Sequence, residues 1–286
     1  MSEVTVALAI NGIVWGLIIA LIALGLSVIF GLLDIINIAH GDFFMVGTVI
    51  AWTTVTATGN FWLAFLLAPL LGFALGALIE RIVIRPIRNA AALSIVATFG
   101  LSMVLQEAVR STFGATPQRI LSPIEGTVRM FGINYEIYRL FAAAVALVAL
   151  IAFFLFLNRT KMGTWMRAVR HDRDTATAMG IPAERVYMVT FGIGTALAML
   201  GGTVAAPITT VDFRIGVDIL PFCFMAVIIG GLGNLPGTAA AAVLLAFLEG
   251  VIGSFADPTL ARISSLVLMS AVLLIRPQGL FKGFGK

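Results

Sequence analysis

The sequence predicts an all-α polytopic membrane protein of about eight or nine transmembrane helices, some broken, with one short polar helix between spans. Three observations carry this. Of the 286 residues, 60% are hydrophobic and only 11% charged, with a mean hydropathy of +1.07; soluble domains are about 25% charged. Apolar runs long enough to cross a bilayer, which takes about 20 residues, follow one another along the chain. The basic residues cluster in the connections, where a topology signal is expected.

Val4–Leu33 is charge-free for 30 residues. That exceeds one simple span, so a tilt or a break near Gly25 or Gly31 is expected. Asp34–Asp42 (DIINIAHGD) then brings three ionisable groups. Phe43–Ile79, charge-free for 37 residues, holds two spans with a turn at Thr58-Gly59-Asn60. Arg81, Arg85 and Arg88 close this section, with Pro86 as helix breaker. Ala90–Gln106 reads as the fourth span, Glu107–Arg139 as a long polar connection and Leu140–Leu157 as the fifth span. The island Arg159–Tyr187 follows, with six Lys/Arg against three acids. Thr164 can cap a helix over Trp165–Met179, Gly180 suits the position just past its end, and Pro182 can begin the next helix. Tyr187–Pro207 is the sixth span and Thr209–Asp218 a loop. Ile219–Ile229 and Thr238–Leu248 are apolar arms around Gly230–Gly237 (GGLGNLPG). Ser254–Arg262 is a loop, Ile263–Ile275 a last short span and Arg276–Lys286 a basic tail.

One membrane domain over residues 1–286 accounts for the length, with no room for a soluble catalytic domain. A single cysteine, Cys223, allows neither an internal disulfide nor a cysteine metal site, and only His40 and His171 remain as histidine ligands. The glycine run has no Gly-Lys-Ser/Thr after it, so it reads as a tight inter-helix turn or helix break rather than a phosphate loop. An intramembrane protease is a poor fit, since the serine type needs a Ser–His pair and the aspartyl type two Asp within spans. No cofactor, metal or nucleic acid is expected. Met1-Ser2-Glu3 lacks the basic region of a cleaved signal, so the first span should be retained. Gly12-xxx-Gly16 and Gly72-xxx-Gly76 suit close helix packing. If the Arg81–Arg88 loop, the island and the tail share one side, that side carries twelve of the 18 basic residues. The positive-inside rule then puts it, and the C-terminus, in the cytoplasm.

Asp34, Asn37, His40 and Asp42 are the polar group nearest a membrane-depth position. Two readings stand. Such groups are costly in a membrane and face a cavity or a partner, and Asn37 and His40 share a face if helical. The favoured reading is that they cap helix ends at the cytoplasmic surface, with Asp42 at the N-terminus of the next span. Thr53–Thr58, Ser94, Thr98, Gln106, Thr190, Thr195 and Thr203 suit a wet path for a small polar solute, and equally helix–helix hydrogen bonds. Glu249 is expected near the outer interface. The island is either a solvated loop that sets topology or a docking helix for a soluble partner.

Three stretches bear on that choice: GLSVIFGLLDIINIAHGDFFMVG (Gly25–Gly47), RAVRHDRDTATAMGIPAERV (Arg167–Val186), and GGLGNLPGTAAAA with the tail IRPQGLF (Ile275–Phe281). In order and spacing they resemble the permease subunits of branched-chain (hydrophobic) amino-acid ABC importers, the LivH type. Ile38, Asp42 and Lys282 depart from residues frequent in that family. The resemblance implies that segment 159–187 is a cytoplasmic coupling helix seated in a groove of an ATPase subunit. Arg167, Arg170, His171, Asp172, Asp174, Met179 and Gly180 are then its contact candidates. It further implies an inner-membrane assembly with a second permease subunit, two ATPase subunits that bind the ATP, and a periplasmic binding protein that delivers the solute. The breaks near Asp34–Asp42 and Gly230–Gly237 become hinge or gate positions. Path candidates are Asp34, Asn37, His40, Asp42, Thr98, Gly231, Gly233 and Asn234. An ion-driven secondary transporter using Asp34 or Glu249, and a same-family permease for urea or short amides, are the competing readings.

Overall fold

The computed structural model describes residues 3–88 and 90–281. Lys282 and the end of the basic tail lie outside the described residues. The architecture is a helical bundle around two central helices. Helix α1 (Glu3–Leu33) is one unbroken rod. The expected break at Gly25 or Gly31 does not occur; helical backbone continues to Leu33, and Asp34 then turns the chain at φ 54°. Ile18–Leu24 are fully buried, so α1 is covered on all sides. That explains why its sequence has no polar face.

Helix α2 (His40–Thr58) is followed by the turn the sequence predicts. Gly59 is left-handed at φ 69°, and Asn60 accepts a hydrogen bond from the Trp62 amide (2.9 Å) to start α3 (Phe61–Ile79). α3 ends in one π-helical turn, Glu80–Ile84, where the Arg85 amide reaches the Glu80 carbonyl at 2.7 Å. Helix α4 (Ala91–Phe113) is longer than the span expected at Ala90–Gln106, because Glu107 and Arg110 pair at i,i+3 and continue the helix. The polar connection therefore shortens. It contains a hairpin, β1 (Thr127–Met130) with β2 (Ile133–Glu136), in register Thr127↔Glu136. Phe131 and Gly132, both at positive φ, form its two-residue turn.

Helix α5 (Ile137–Arg159) leads to two short helices, α6 (Lys161–His171) and α7 (Arg173–Ala178). Then come α8 (Ala183–Ala205), α9 (Ile215–Gly230), α10 (Leu235–Ile252) and α11 (Pro258–Ile275). α11 starts inside the loop expected over Ser254–Arg262, because Pro258 suits a first helical position. Among the described residues six helices are long and apolar enough to cross a membrane: Glu3–Leu33, Phe61–Ile84, Ala92–Phe113, Ile137–Arg159, Ala183–Ala205 and Leu235–Ile252. Ile215–Gly230 and Thr259–Ile275 are shorter apolar helices, so this measure does not reach the expected eight or nine.

α1 and α10 run antiparallel, with Gly12 on the Ala246 backbone, Gly16 on Val243, and Ser27 hydrogen-bonded to Thr238 (3.1 Å). Gly72 and Gly76 bring α3 onto α8 at Ala196 and Thr195. Both small-residue pairs are thus helix contacts. Leu66, Leu70, Val96, Val104 and Val148 point outward from α3, α4 and α5 and are exposed, as surfaces facing lipid would be.

Candidate functional site

The island folds as a cap on one end of the bundle. The expected helix Trp165–Met179 is two helices. The first starts at Thr160, not Thr164: the Thr160 hydroxyl accepts from the Gly163 amide (3.1 Å). It ends at Asp172, whose backbone is extended (φ −155°, ψ 109°). The Asp172 carboxylate then accepts from the amides of Asp174 (3.0 Å) and Thr175 (3.1 Å) and so caps α7. Hydrogen bonds from the Thr175 hydroxyl, first, and from the Thr175 and Asp174 amides hold this carboxyl below its ordinary pKa, against a small desolvation. Gly180 is left-handed at φ 84°, and the Ile181 amide bonds back to the Ala176 carbonyl (3.0 Å), the closing pattern expected past a helix end.

Gly163, Met166 and Val169 make the buried face of α6. The Arg167 guanidinium donates to the Leu157 carbonyl at the end of α5. His171, Asp172, Asp174, Met179 and Gly180 are exposed, Met179 to 79%. Arg170 instead reaches across to the glycine run. A Cβ on Gly233 would stand 2.5 Å from its guanidinium nitrogen, and one on Gly31 would stand 3.2 Å from the Gly233 Cα. A cavity of about 250 Å³ opens there, lined by Ser27, Met166, Arg167, Arg170 and Asn234 among others. Gly231 and Gly233 take positive φ in the turn. The Asn234 side chain accepts from the Gly237 amide (3.1 Å) and donates to the Phe281 carbonyl (3.0 Å). No local signal in the sequence announces that cap, turn and tail meet.

A charged cluster ties this cap to the bundle, and sequence reasoning missed it. Glu184, at the start of α8, accepts from Arg88 (2.6 Å), Arg85 (2.9 Å) and Arg173 (3.4 Å). Arg88 also faces Glu80 at 3.6 Å and lies over the Tyr187 ring at 4.1 Å. Arg88 and Glu184 are 96 positions apart, so no local spacing announces the cluster.

The second polar group lies inside. Asp42 stands in the first turn of α2, as the favoured reading has it, but not at the surface: His40 and Asp42 are 0% and 2% exposed. Asp34 alone is exposed. The reason is the non-helical stretch 34–39, which carries the chain back into the bundle before α2 begins. The His40 Nε2–H donates to the Ile22 carbonyl (2.9 Å), eleven residues before the end of α1 and so roughly 16 Å along it. Asp42 accepts from the Gln106 amide (3.0 Å). The Thr98 hydroxyl accepts from the Ile38 amide (3.2 Å) and lies 3.3 Å from the Ile36 carbonyl. Asn37 is 0% exposed, and among the described residues neither end of its amide has a hydrogen-bond partner, nor does His40 Nδ1. Irregular backbone at such depth is tolerated only where protein buries it or where it lines a cavity.

A buried, broken entry to α2, a compact polar cap and outward-facing apolar helices together describe an all-α polytopic membrane fold. The sequence model of the family described as "Branched-chain amino acid transport system / permease component" matches residues 8–275. The chain belongs to this permease family. Among similar permeases is the high-affinity branched-chain amino acid transport system permease protein LivH of Salmonella typhimurium, 28% identical, covering 94% of this chain and 93% of the relative. LivH of Escherichia coli K12 is also 28% identical with the same coverage. The permease protein BraD of Pseudomonas aeruginosa is 27% identical over 95% of this chain and 94% of its own. No solved structure matches the permease chain.

Proposed function

We propose that this chain is the transmembrane permease subunit of an ATP-binding-cassette importer that passes branched-chain or other hydrophobic amino acids across the inner membrane. A periplasmic binding protein delivers the solute, and a second permease subunit completes the membrane part. Two ATPase subunits bind and hydrolyse the ATP; this chain has no catalytic role and needs no cofactor of its own. Family membership over residues 8–275 is the observation that carries the reading.

The cap supports it physically. Segment 159–187 and the C-terminus lie on the cytoplasmic side. Asp174 and Met179 present a charge and an exposed thioether to an ATPase groove, while Arg170 and the Glu184 cluster pass the resulting force to α1, α3, α8 and the glycine turn. His171, Asp172 and Gly180 shape that surface. Asn37, His40, Asp42 and Thr98 form the gate inside, with Asp34 at its exposed edge, where non-helical backbone can shift without breaking a helix. Gly231, Gly233 and Asn234 form the hinge below it.

The test is to purify the chain with its ATPase and reverse the charge of Asp174 (D174K), leaving the Asp172 cap of α7 in place. Coupled ATPase activity and uptake are expected to fall while the permease still reaches the membrane. Intact coupling in that variant would sink the docking assignment. A chain that purifies alone and moves solute under an ion gradient would sink the importer reading.

A further inference from the structure

At the end of the bundle away from Arg170, two cavities meet at Glu249. One, of about 430 Å³, is bounded by Asn11, Trp15, Arg139 and Glu249 among others. The other, of about 380 Å³, is bounded by Trp15, Asp218, Phe222, Glu249 and Arg262 among others. Trp15, Thr209 and Glu249 line both, so the two form one cleft between α1, α9, α10 and α11. Each lies within the roughly 300–1,000 Å³ typical of small-molecule sites.

The charges in this cleft are unevenly committed. Arg139 is engaged by Glu136 (2.8 Å) and Asn11 (3.2 Å). Arg262 makes no ion pair within 4.0 Å among the described residues, and it lines the same cavity as Glu249. The Glu249 Oε1 is buried and has no hydrogen-bond partner among the described residues. A buried acceptor left without a donor is costly, and a ligand donor would relieve that cost. Asp218 adds a second carboxylate, and Ile19, Ile219 and Phe222 add an apolar floor beside the Trp15 indole. Separated charges of both signs beside an apolar floor complement a zwitterion with a hydrocarbon side chain. A neutral polar solute would leave both signs unmatched.

We propose that this cleft is an entry site for a zwitterionic amino acid with an apolar side chain. Its ammonium group donates to the open Glu249 oxygen and faces Asp218. Its carboxylate pairs with Arg262, and its side chain lies on Trp15, Ile219 and Phe222. The inference rests on the permease reading above and adds the place where the solute is first held.

The test uses the full chain in lipid nanodiscs with Trp52, Trp62 and Trp165 replaced by Phe, so that Trp15 is the one indole reporter. L-leucine is expected to give a saturable change in Trp15 emission. Loss of either charge should weaken binding roughly ten-fold or more, read by comparing L-leucine with 4-methylpentanoate (no ammonium) and 3-methylbutylamine (no carboxylate). E249Q should narrow the preference for L-leucine over 4-methylpentanoate, the remainder resting on Asp218, and R262Q should narrow the preference for L-leucine over 3-methylbutylamine. The two variants report independently, so a folding failure in one leaves the other decisive. No saturable response to L-leucine at millimolar concentration, or full discrimination kept in both variants, overturns the site. Radiolabelled L-leucine uptake by cells making the chain separates the two ideas. Uptake without a Trp15 response removes the site and keeps the permease reading. A Trp15 response to urea or acetamide, with none to L-leucine and no leucine uptake, removes the reading itself.

Discussion

Gly41 in the first turn of α2 lies against Gly216 at the start of α9, and a Cβ added to Gly41 would overlap the Gly216 carbonyl. Both sides of that contact are backbone, so no side chain can swing away. Gly100 on α4 has nothing within 4 Å of where its Cβ would be. The two glycines look alike in the sequence but should respond in opposite directions. Gly41→Ala is expected to destabilise by about 1–3 kcal/mol or more, through overpacking next to buried His40 and Asp42. Gly100→Ala should be neutral or stabilise by up to about 1 kcal/mol, because alanine favours a helix over glycine. Thermal midpoints of the detergent-purified variants decide it; shifts of the same sign would refute the assignment. At this scale the sequence marked Asn37, His40 and Asp42 as candidates from their residue types alone. Their burial was not legible, because it depends on where α1 ends and how the chain re-enters the bundle.

Among the elements, the π-helical turn after α3 and the first turn of α8 are held together by charge. Arg88 is 11% and Glu80 2% exposed, so removing one partner leaves the other charge uncompensated out of water. Arg88→Met is expected to cost about 3–5 kcal/mol. Adding Glu80→Gln should recover a good part of that loss, since the stranded carboxylate disappears. A double-mutant cycle on thermal stability measures it, and simple additivity of the two losses would show that Arg88 and Glu80 do not act as a pair. Element existence was largely legible here: the Thr58–Asn60 turn, the helix stop at Gly180 and the break at Gly230–Gly237 all carry their own glycine or asparagine signals. Element boundaries were less so. The α6–α7 break at Asp172 competes with a continuous polar helix that its flanking residues would also support, and side-chain capping decides between them.

For the whole molecule, α8 runs from the cap to the opposite end. Met179 lies just before its start, and Leu121 lies in the connection whose Gln118 pairs with Val211 beyond its end. Both are well exposed, at 79% and 92%. In a chain whose one native cysteine, buried Cys223, is replaced by alanine, M179C should react in intact cells only with a membrane-permeant maleimide. L121C should react with an impermeant one. The reverse pattern would invert the orientation that the basic residues assign. Composition and charge placement alone determined that this is a helical membrane protein, where its polar cap lies in the chain, and which residue types crowd its broken segment. Those properties follow from transfer of side chains out of water, which each residue carries with it. Only the tertiary structure decided that Arg170 meets the glycine turn, that Glu184 gathers three arginines, and that Glu249 shares a cleft with Trp15 and Arg262. Those meetings join residues tens to hundreds of positions apart. They are set by how the helices pack, which no local period of the sequence encodes.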